Sequence, residues 1–285
     1  MMETEEHWDL VVKPNNKWYD VRLKEVWKFK DLLFMFVKRD FVALYKQTIL
    51  GPLWLFIQPI LTTITFTIIF SNVAKIGTNG IPSVLFYISG LTLWTYFADC
   101  ITKTSNTFVA NASVFGKVYF PRLIMPLSIL FSNLIKLGVQ FALFLAIWLY
   151  YYITTDTIKP TLYLLLLPLL VVMMAGLGLG FGLIISALTT KYRDLAFLIT
   201  FGVQLVMYAS PIVYPLSIVS DKYKALLLLN PITSIIETFK YAFMGVGYFN
   251  GIEFWLGYSC LFMLVLVAVG IVIFNKVEKS FMDTV

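Results

Sequence analysis

Of 285 residues, 59% are hydrophobic and 13% charged, against about 45–50% and about 25% in a soluble domain, which excludes a water-soluble globular protein and implies an integral membrane one. The formal net charge of +6 then reflects membrane topology and anionic lipid, and no nucleic-acid partner is expected. Cys100 and Cys260 both sit in apolar runs and point to packing, with no disulfide framework and no metal site expected.

The opening stretch MMETEEHWDLVVKPNNKWYD is acidic and polar and lacks the apolar core of a cleavable signal, so the N-terminus is expected in the cytoplasm. A helix is predicted over residues 22–46. At 100° per residue, Lys24, Lys28, Asp31, Lys38, Arg39 and Lys46 share an arc of about 100°, while Val26, Trp27, Leu33, Phe34, Val37, Phe41, Leu44 and Tyr45 gather opposite. That is the pattern of an amphipathic helix lying along the membrane surface. Arg22, Lys30 and Asp40 violate it and predict a break or a packed segment. Gly51-Pro52 then turns the chain into the membrane, because glycine permits the bend and proline is tolerated in a first helical turn.

At about 20 apolar residues per crossing, six spans are predicted over residues 52–72, 84–102, 126–150, 161–188, 195–215 and 254–274. Gln58, Thr62 and Thr65 share one face of the first span, and Thr200, Gln204 and Tyr208 share one face of the fifth. Asp99 and Lys136 fall within apolar runs, where an ionised group costs about 2.5–3.5 kcal/mol at mid-membrane. A mutual ion pair is the favoured reading. Residues 175–182, AGLGLGFG, hold two interleaved GxxxG pairs, Gly176/Gly180 and Gly178/Gly182, suited to close helix approach. Pro211 and Pro215 in SPIVYP are expected to kink or end the fifth span. The apolar runs ALLLL and FKYAFMGVGYF within 216–253 would not stay in water, so re-entrant or interfacial helices are expected before the last span.

With the N-terminus inside, 16 of the 22 Lys and Arg fall on cytoplasmic segments and five on outer loops, an asymmetry that places both termini in the cytoplasm. The fold class is therefore an all-α integral membrane protein. Its expected parts are a cytoplasmic tail with interface helix (1–51), a six-span transmembrane domain (52–274) and a cytoplasmic C-terminal tail (275–285).

Five stretches carry a resemblance. RDFVALYKQTILGPLWLFIQP at 39–59, FVANASVFGKVYFPRLIMP at 108–126, TTKYRDL at 189–195, NPITSIIETFKYAFMG at 230–245 and KVEKSFMDTV at 276–285 lie in order along nearly the whole chain. Together they resemble the permease subunits of polysaccharide-exporting ABC transporters, the family that exports O-antigen, capsule and teichoic acid. The resemblance implies a homodimer forming a transmembrane pore in the bacterial inner membrane, with two copies of a cytoplasmic ATPase bound beneath it. No cofactor is expected in this chain; ATP and magnesium belong to the partner subunit. Consistent with that division, the chain lacks G-x-x-x-x-G-K-[ST], its nearest approach being FGKVYF at 115–120.

By the same resemblance the 103–122 connection contains the coupling helix, with Phe115, Lys117, Tyr119 and Arg122 at or near the ATPase, and Lys191, Arg193 and Asp194 as further candidates. The 210–215 segment, with Pro211, Tyr214 and Pro215, and the helices after it would form the outer gate. A polyprenyl-pyrophosphate-linked glycan is expected to enter from the inner leaflet beside Gly51 and Pro52, its headgroup drawn by Lys38, Arg39 or Lys46; a contact from Lys136 to that pyrophosphate is the alternative to its pair with Asp99. The uncharged polar faces of the first and fifth spans suit a pore that releases what it binds, and equally suit hydrogen bonds between helices. Aromatic residues make up 17% of the chain, more than interfacial belts need, and that surplus is expected to serve the sugar. A drug- or lipid-exporting ABC permease is the alternative. A membrane enzyme is disfavoured: the sole histidine is His7, and no paired carboxylates occupy the spans.

Overall fold

The computed structural model describes residues 23–46, 48–192, 194–247 and 251–281. Every regular element among them is helical, as a lipid environment demands of a chain that satisfies its backbone internally. The surface helix is two pieces, α1 (Leu23–Lys28) and α2 (Lys30–Tyr45), broken at Phe29, whose φ of −95° and ψ of 23° leave helical geometry. After a 3₁₀ turn at Gly51–Leu53 come α3 (Trp54–Phe66), prolonged by a π-helical stretch at Thr67–Val73, and α4 (Ser83–Ser105). Two single-turn helices follow, α5 (Thr107–Ala110) and α6 (Ala112–Phe115), then the long α7 (Ile124–Thr154). A 3₁₀ segment at Leu162–Leu166 leads into α8 (Leu167–Thr189), followed by α9 (Leu195–Tyr208), α10 (Asp221–Leu228), α11 (Pro231–Met244) and α12 (Ile252–Phe281).

Helix α4 lies between α7 and α8, and α8 between α4 and α12. The glycine pairs of α8 explain both approaches. A Cβ on Gly178 or Gly182 would meet Cys100 or Thr104 of α4, and one on Gly176 or Gly180 would meet Met263 or Leu266 of α12. One helix thus presents two small-residue faces to two neighbours, the close packing that holds helices together where lipid tails offer no hydrophobic contrast.

The two ends of the bundle are distinguishable. At one, Leu33, Phe36 and Val37 of α2 join Phe108, Phe115, Phe120, Ile124 and Phe274 in a single apolar cluster, and the Thr189 hydroxyl donates to the Ser105 carbonyl at 2.9 Å. We call this the basic end. At the other, the backbone N–H groups of Lys159 and Thr161 donate to the carbonyls of Met244 and Ala242.

Among the described residues, five helices are long and apolar enough to span: Gly51–Val73, Ser83–Ser105, Ile124–Thr154, Leu162–Thr189 and Ile252–Val277. The predicted fifth span, 195–215, differs. Its helix α9 has 14 residues, about 21 Å at 1.5 Å per residue, short of the roughly 30 Å hydrocarbon thickness. Pro211 and Pro215 stop it, as anticipated, and the chain continues through the bundle as non-helical backbone, with Ile212 packed on Gly90 of α4. Since α8 ends and α12 finishes at the basic end, α9 together with this segment makes the return passage. Helix α11 enters beside it and is buried at every residue but Tyr241.

Candidate transport path and coupling surface

On α4, Thr95, Asp99 and Lys103 recur at i, i+4 and i+8, and on the antiparallel α7, Asn133, Lys136 and Gln140 recur at i, i+3 and i+7. The periodicity aligns them as three rungs. The Thr95 hydroxyl donates to Gln140 Oε1, Lys136 Nζ pairs with Asp99 Oδ2, and Lys103 Nζ donates to Asn133 Oδ1, each at 2.7 Å. The Asp99–Lys136 pair favoured from sequence is therefore formed. Above these rungs lies a cavity of about 100 Å³, closed from the third side by Gln58, Thr62 and Thr63 of α3.

Of the predicted first-span face, Gln58 and Thr62 line this cavity, with the Thr62 hydroxyl donating to the Gln58 carbonyl, while Thr65 is exposed outside it. Thr63 was not singled out by spacing. It is 2% exposed, and its hydroxyl has no hydrogen-bond partner among the described residues. On α9, Thr200, Gln204 and Tyr208 are all exposed on the outside of the chain, and α9 leans mainly on α4 and α8. An apolar cavity of about 430 Å³ separates it from them, lined by Phe97, Phe181, Val203 and Val206 among others. The two polar rows thus lie on different peripheral helices of one chain.

Pro211 and Pro215 are buried and Tyr214 is half-buried. The segment is tied from α11: the Asn230 side-chain amide donates to Ser210 Oγ at 2.9 Å, and Lys240 Nζ donates to the Pro211 carbonyl at 2.6 Å. Asn230 also caps α11, accepting from the Ile232 N–H, the role its residue type favours.

At the basic end Lys117 and Tyr119 are exposed, whereas Phe115 and Arg122 are buried, with the Arg122 guanidinium 5.5 Å from the Phe115 ring centroid. The first two are available to a partner; the second two hold the loop that presents them. Lys191 and Asp194 are exposed, and Arg193 lies outside the described residues. Lys38 and Lys46 are exposed, and Arg39 is engaged with Asp40 at 2.8 Å and with the Phe36 ring. Gly51 has φ of +48°, a left-handed turn that glycine adopts at no steric cost, and Pro52 occupies the first turn as expected.

A family model described as ABC-2 type transporter matches residues 31–244. The chain belongs to the ABC-2 type transporter family. Two proteins of Klebsiella pneumoniae named O-antigen export system permease protein RfbA are each 29% identical to it, over 89% of this chain and 94% of their own length. A protein of the same name from Myxococcus xanthus is 26% identical over 78% of this chain and 83% of its own. As an ABC-2 transporter chain it is a multi-pass membrane protein and the transport component that works with an ABC ATPase.

Within the ABC-2 chain, sequence spacing missed Glu237 and Lys240, both 2% exposed inside α11. The signal was present: two charges one turn apart within NPITSIIETFKYAFMG, flanked on both sides by apolar residues. Part of the aromatic content packs the bundle itself. Phe141, Phe144, Trp148, Phe239 and Phe243 form one packed group joining α7 to α11, closed by a hydrogen bond from Trp148 Nε1 to the Phe243 carbonyl.

Proposed function

We propose that this ABC-2 chain is the membrane-spanning subunit of an exporter of lipid-linked polysaccharide, of the O-antigen, capsular or teichoic type. The observation that carries the reading is the near end-to-end similarity to three O-antigen export permeases, joined to polar but uncharged rows on α3 and α9, helices that the single chain leaves largely uncovered. In this reading two copies bring those rows together around a pore in the bacterial inner membrane. Hydroxyls and amides of Gln58, Thr62, Thr65, Thr200, Gln204 and Tyr208 exchange hydrogen bonds with a passing glycan without retaining it.

The basic end faces the cytoplasm, with both termini on that side. There two copies of a separate ATPase, which hold ATP and magnesium, bear on Lys117 and Tyr119, with Lys191, Arg193 and Asp194 beside them. Phe115, packed into the cluster shared by α2 and α12, transmits the force together with Arg122, whose guanidinium lies against its ring. The substrate is a polyprenyl-pyrophosphate-linked glycan that arrives beside α2 and the Gly51-Pro52 joint, where Lys38, Arg39 and Lys46 offer positive charge. The 210–215 segment closes the far end.

Depletion of the protein, followed by measurement of polyprenyl-pyrophosphate-linked glycan on each face of the inner membrane, tests this. Full-length glycan should accumulate on the cytoplasmic face and disappear from the cell surface. An unchanged pool and unchanged surface glycan, with no parallel exporter present, would refute it and favour a drug- or lipid-exporting ABC permease.

A further inference from the structure

Helix α11 holds a lysine that an ordinary packing helix has no reason to keep. Lys240 is 2% exposed, and taking an ammonium out of water costs several kcal/mol unless its surroundings replace the solvent. Here three elements do so. The Pro211 carbonyl accepts from Nζ at 2.6 Å, the Phe86 ring of α4 lies 3.5 Å from Nζ to its centroid, and Glu237, one turn back on α11, supplies the opposite charge. A methionine could fill the same volume, but it can neither donate to the carbonyl nor offer a charge to the ring face.

The carbonyl is the telling partner. Pro211 lies in backbone that has left α9, where carbonyls lack helical donors and must find others. The neighbouring Ser210 is met by Asn230, the residue that caps the same helix. Consecutive residues of the 210–215 segment are thus fixed from the two ends of α11, while Ile212 rests on Gly90 of α4. The position of this segment is set by α11 and α4, and a shift of one against the other must move it.

We propose that Lys240 is the positioning residue of the far-end closure, a charged tether that holds residues 210–215 shut against α4. The inference rests on the reading of that segment as the gate.

The full-length chain, reconstituted into liposomes loaded with a self-quenching dye, tests both in the absence of ATP. Tyr214→Ala, within the segment itself, reports on the gate. Lys240→Met should raise dye leak about tenfold or more, the shift expected when one charge-assisted hydrogen bond is lost from a closed state, and Lys240→Arg should restore tightness. Since Lys240→Met removes a positive charge beside the buried Glu237, the double variant Glu237→Gln/Lys240→Met is measured beside it. A double variant that unfolds at the wild-type temperature yet leaks separates positioning from mere stability. Phe86→Leu, which removes only the ring face, decides the matter where the lysine variants fail to assemble. Leak from Tyr214→Ala with tight Lys240 and Phe86 variants overturns the tether and leaves the gate standing; tight liposomes for Tyr214→Ala and all the others overturn the gate and the tether with it.

Discussion

Helices α8 and α3 are both apolar enough to cross a bilayer, and the bundle treats them in opposite ways. Helix α8 is clasped on two sides, with glycine faces that admit α4 and α12 to near backbone contact. Among the described residues helix α3 rests chiefly on α4 and α7, above a polar cavity. It begins at a left-handed glycine, carries Pro59 in its middle and ends in π-helical turns. Proline removes a backbone donor and π turns weaken the regular ladder, so α3 is built with interruptions where α8 is built with contacts. The difference teaches where motion can be accommodated: the frame is the glycine-packed core of α4, α8 and α12, and the movable wall is α3.

The largest expected effect breaks the frame. In Gly178→Leu the side chain would enter the space of Cys100 and the Phe97 carbonyl, and the chain should not assemble. Gly178→Ala should lose about 1–3 kcal/mol through overpacking. Gly138→Ala on α7 and Gly257→Ala on α12, with nothing within 4 Å of the added Cβ among the described residues, should stay within about 0.5 kcal/mol of the parent. Thermal unfolding in detergent, followed by tryptophan fluorescence, ranks them, and equal midpoints for Gly178→Ala and Gly138→Ala would remove the claim that α8 is clasped.

Next in size is Lys136→Met, which leaves Asp99 without its cation beneath α3. Removing one member of a fully buried pair costs about 3–5 kcal/mol; with side chains 18% and 29% exposed, solvent screening reduces this to about 2 kcal/mol. Asp99→Asn/Lys136→Met should recover most of the loss. A double variant no more stable than Lys136→Met would show that the two charges do not answer each other.

These contrasts also mark what was legible in the sequence. The glycine spacing of 175–182 announced close approach, and the hydropathy announced α3, α4, α7, α8 and α12, because both are local properties of one helix. The Gly51-Pro52 joint was legible for the same reason. Helix α11 was legible as a re-entrant or interfacial segment from the apolar run FKYAFMGVGYF, but the burial of Glu237 and Lys240 within it was not. Their burial depends on Phe86 and the Pro211 carbonyl, far away in the chain. The Asp99–Lys136 pair could be suspected but not decided, because it depends on the register between α4 and α7. Spacing likewise chose Thr65 over Thr63, because the face that α3 turns inward, marked by Leu55, Pro59, Thr62 and Thr63, is set by packing against other helices and not by the polar residues of α3 itself.

Smaller effects sharpen the picture of α3 as the movable wall. Gly51→Ala meets no atom within 4 Å among the described residues, but must hold φ near +48°, at a cost of about 1–2 kcal/mol. If the joint matters for movement, surface glycan should fall more steeply in this variant than in Gly138→Ala at matched protein levels. Equal export from the two would make Gly51 a plain bend.

The smallest expected effect is at Thr63, and it can distinguish a wall that is held from one that merely rests. An unsatisfied buried hydroxyl destabilises the state that contains it, and replacing it by an apolar group of the same shape is neutral or stabilising. Thr63→Val should therefore leave the unfolding midpoint unchanged or raise stability by up to about 1 kcal/mol. Because this hydroxyl is buried where α3 lies against α4 and α7, the same change should favour that position and slow export slightly. A Thr63→Val protein that unfolds at a lower temperature would mean that the hydroxyl is bonded within the cavity, and that α3 is fastened to the polar rungs instead of lying loosely over them.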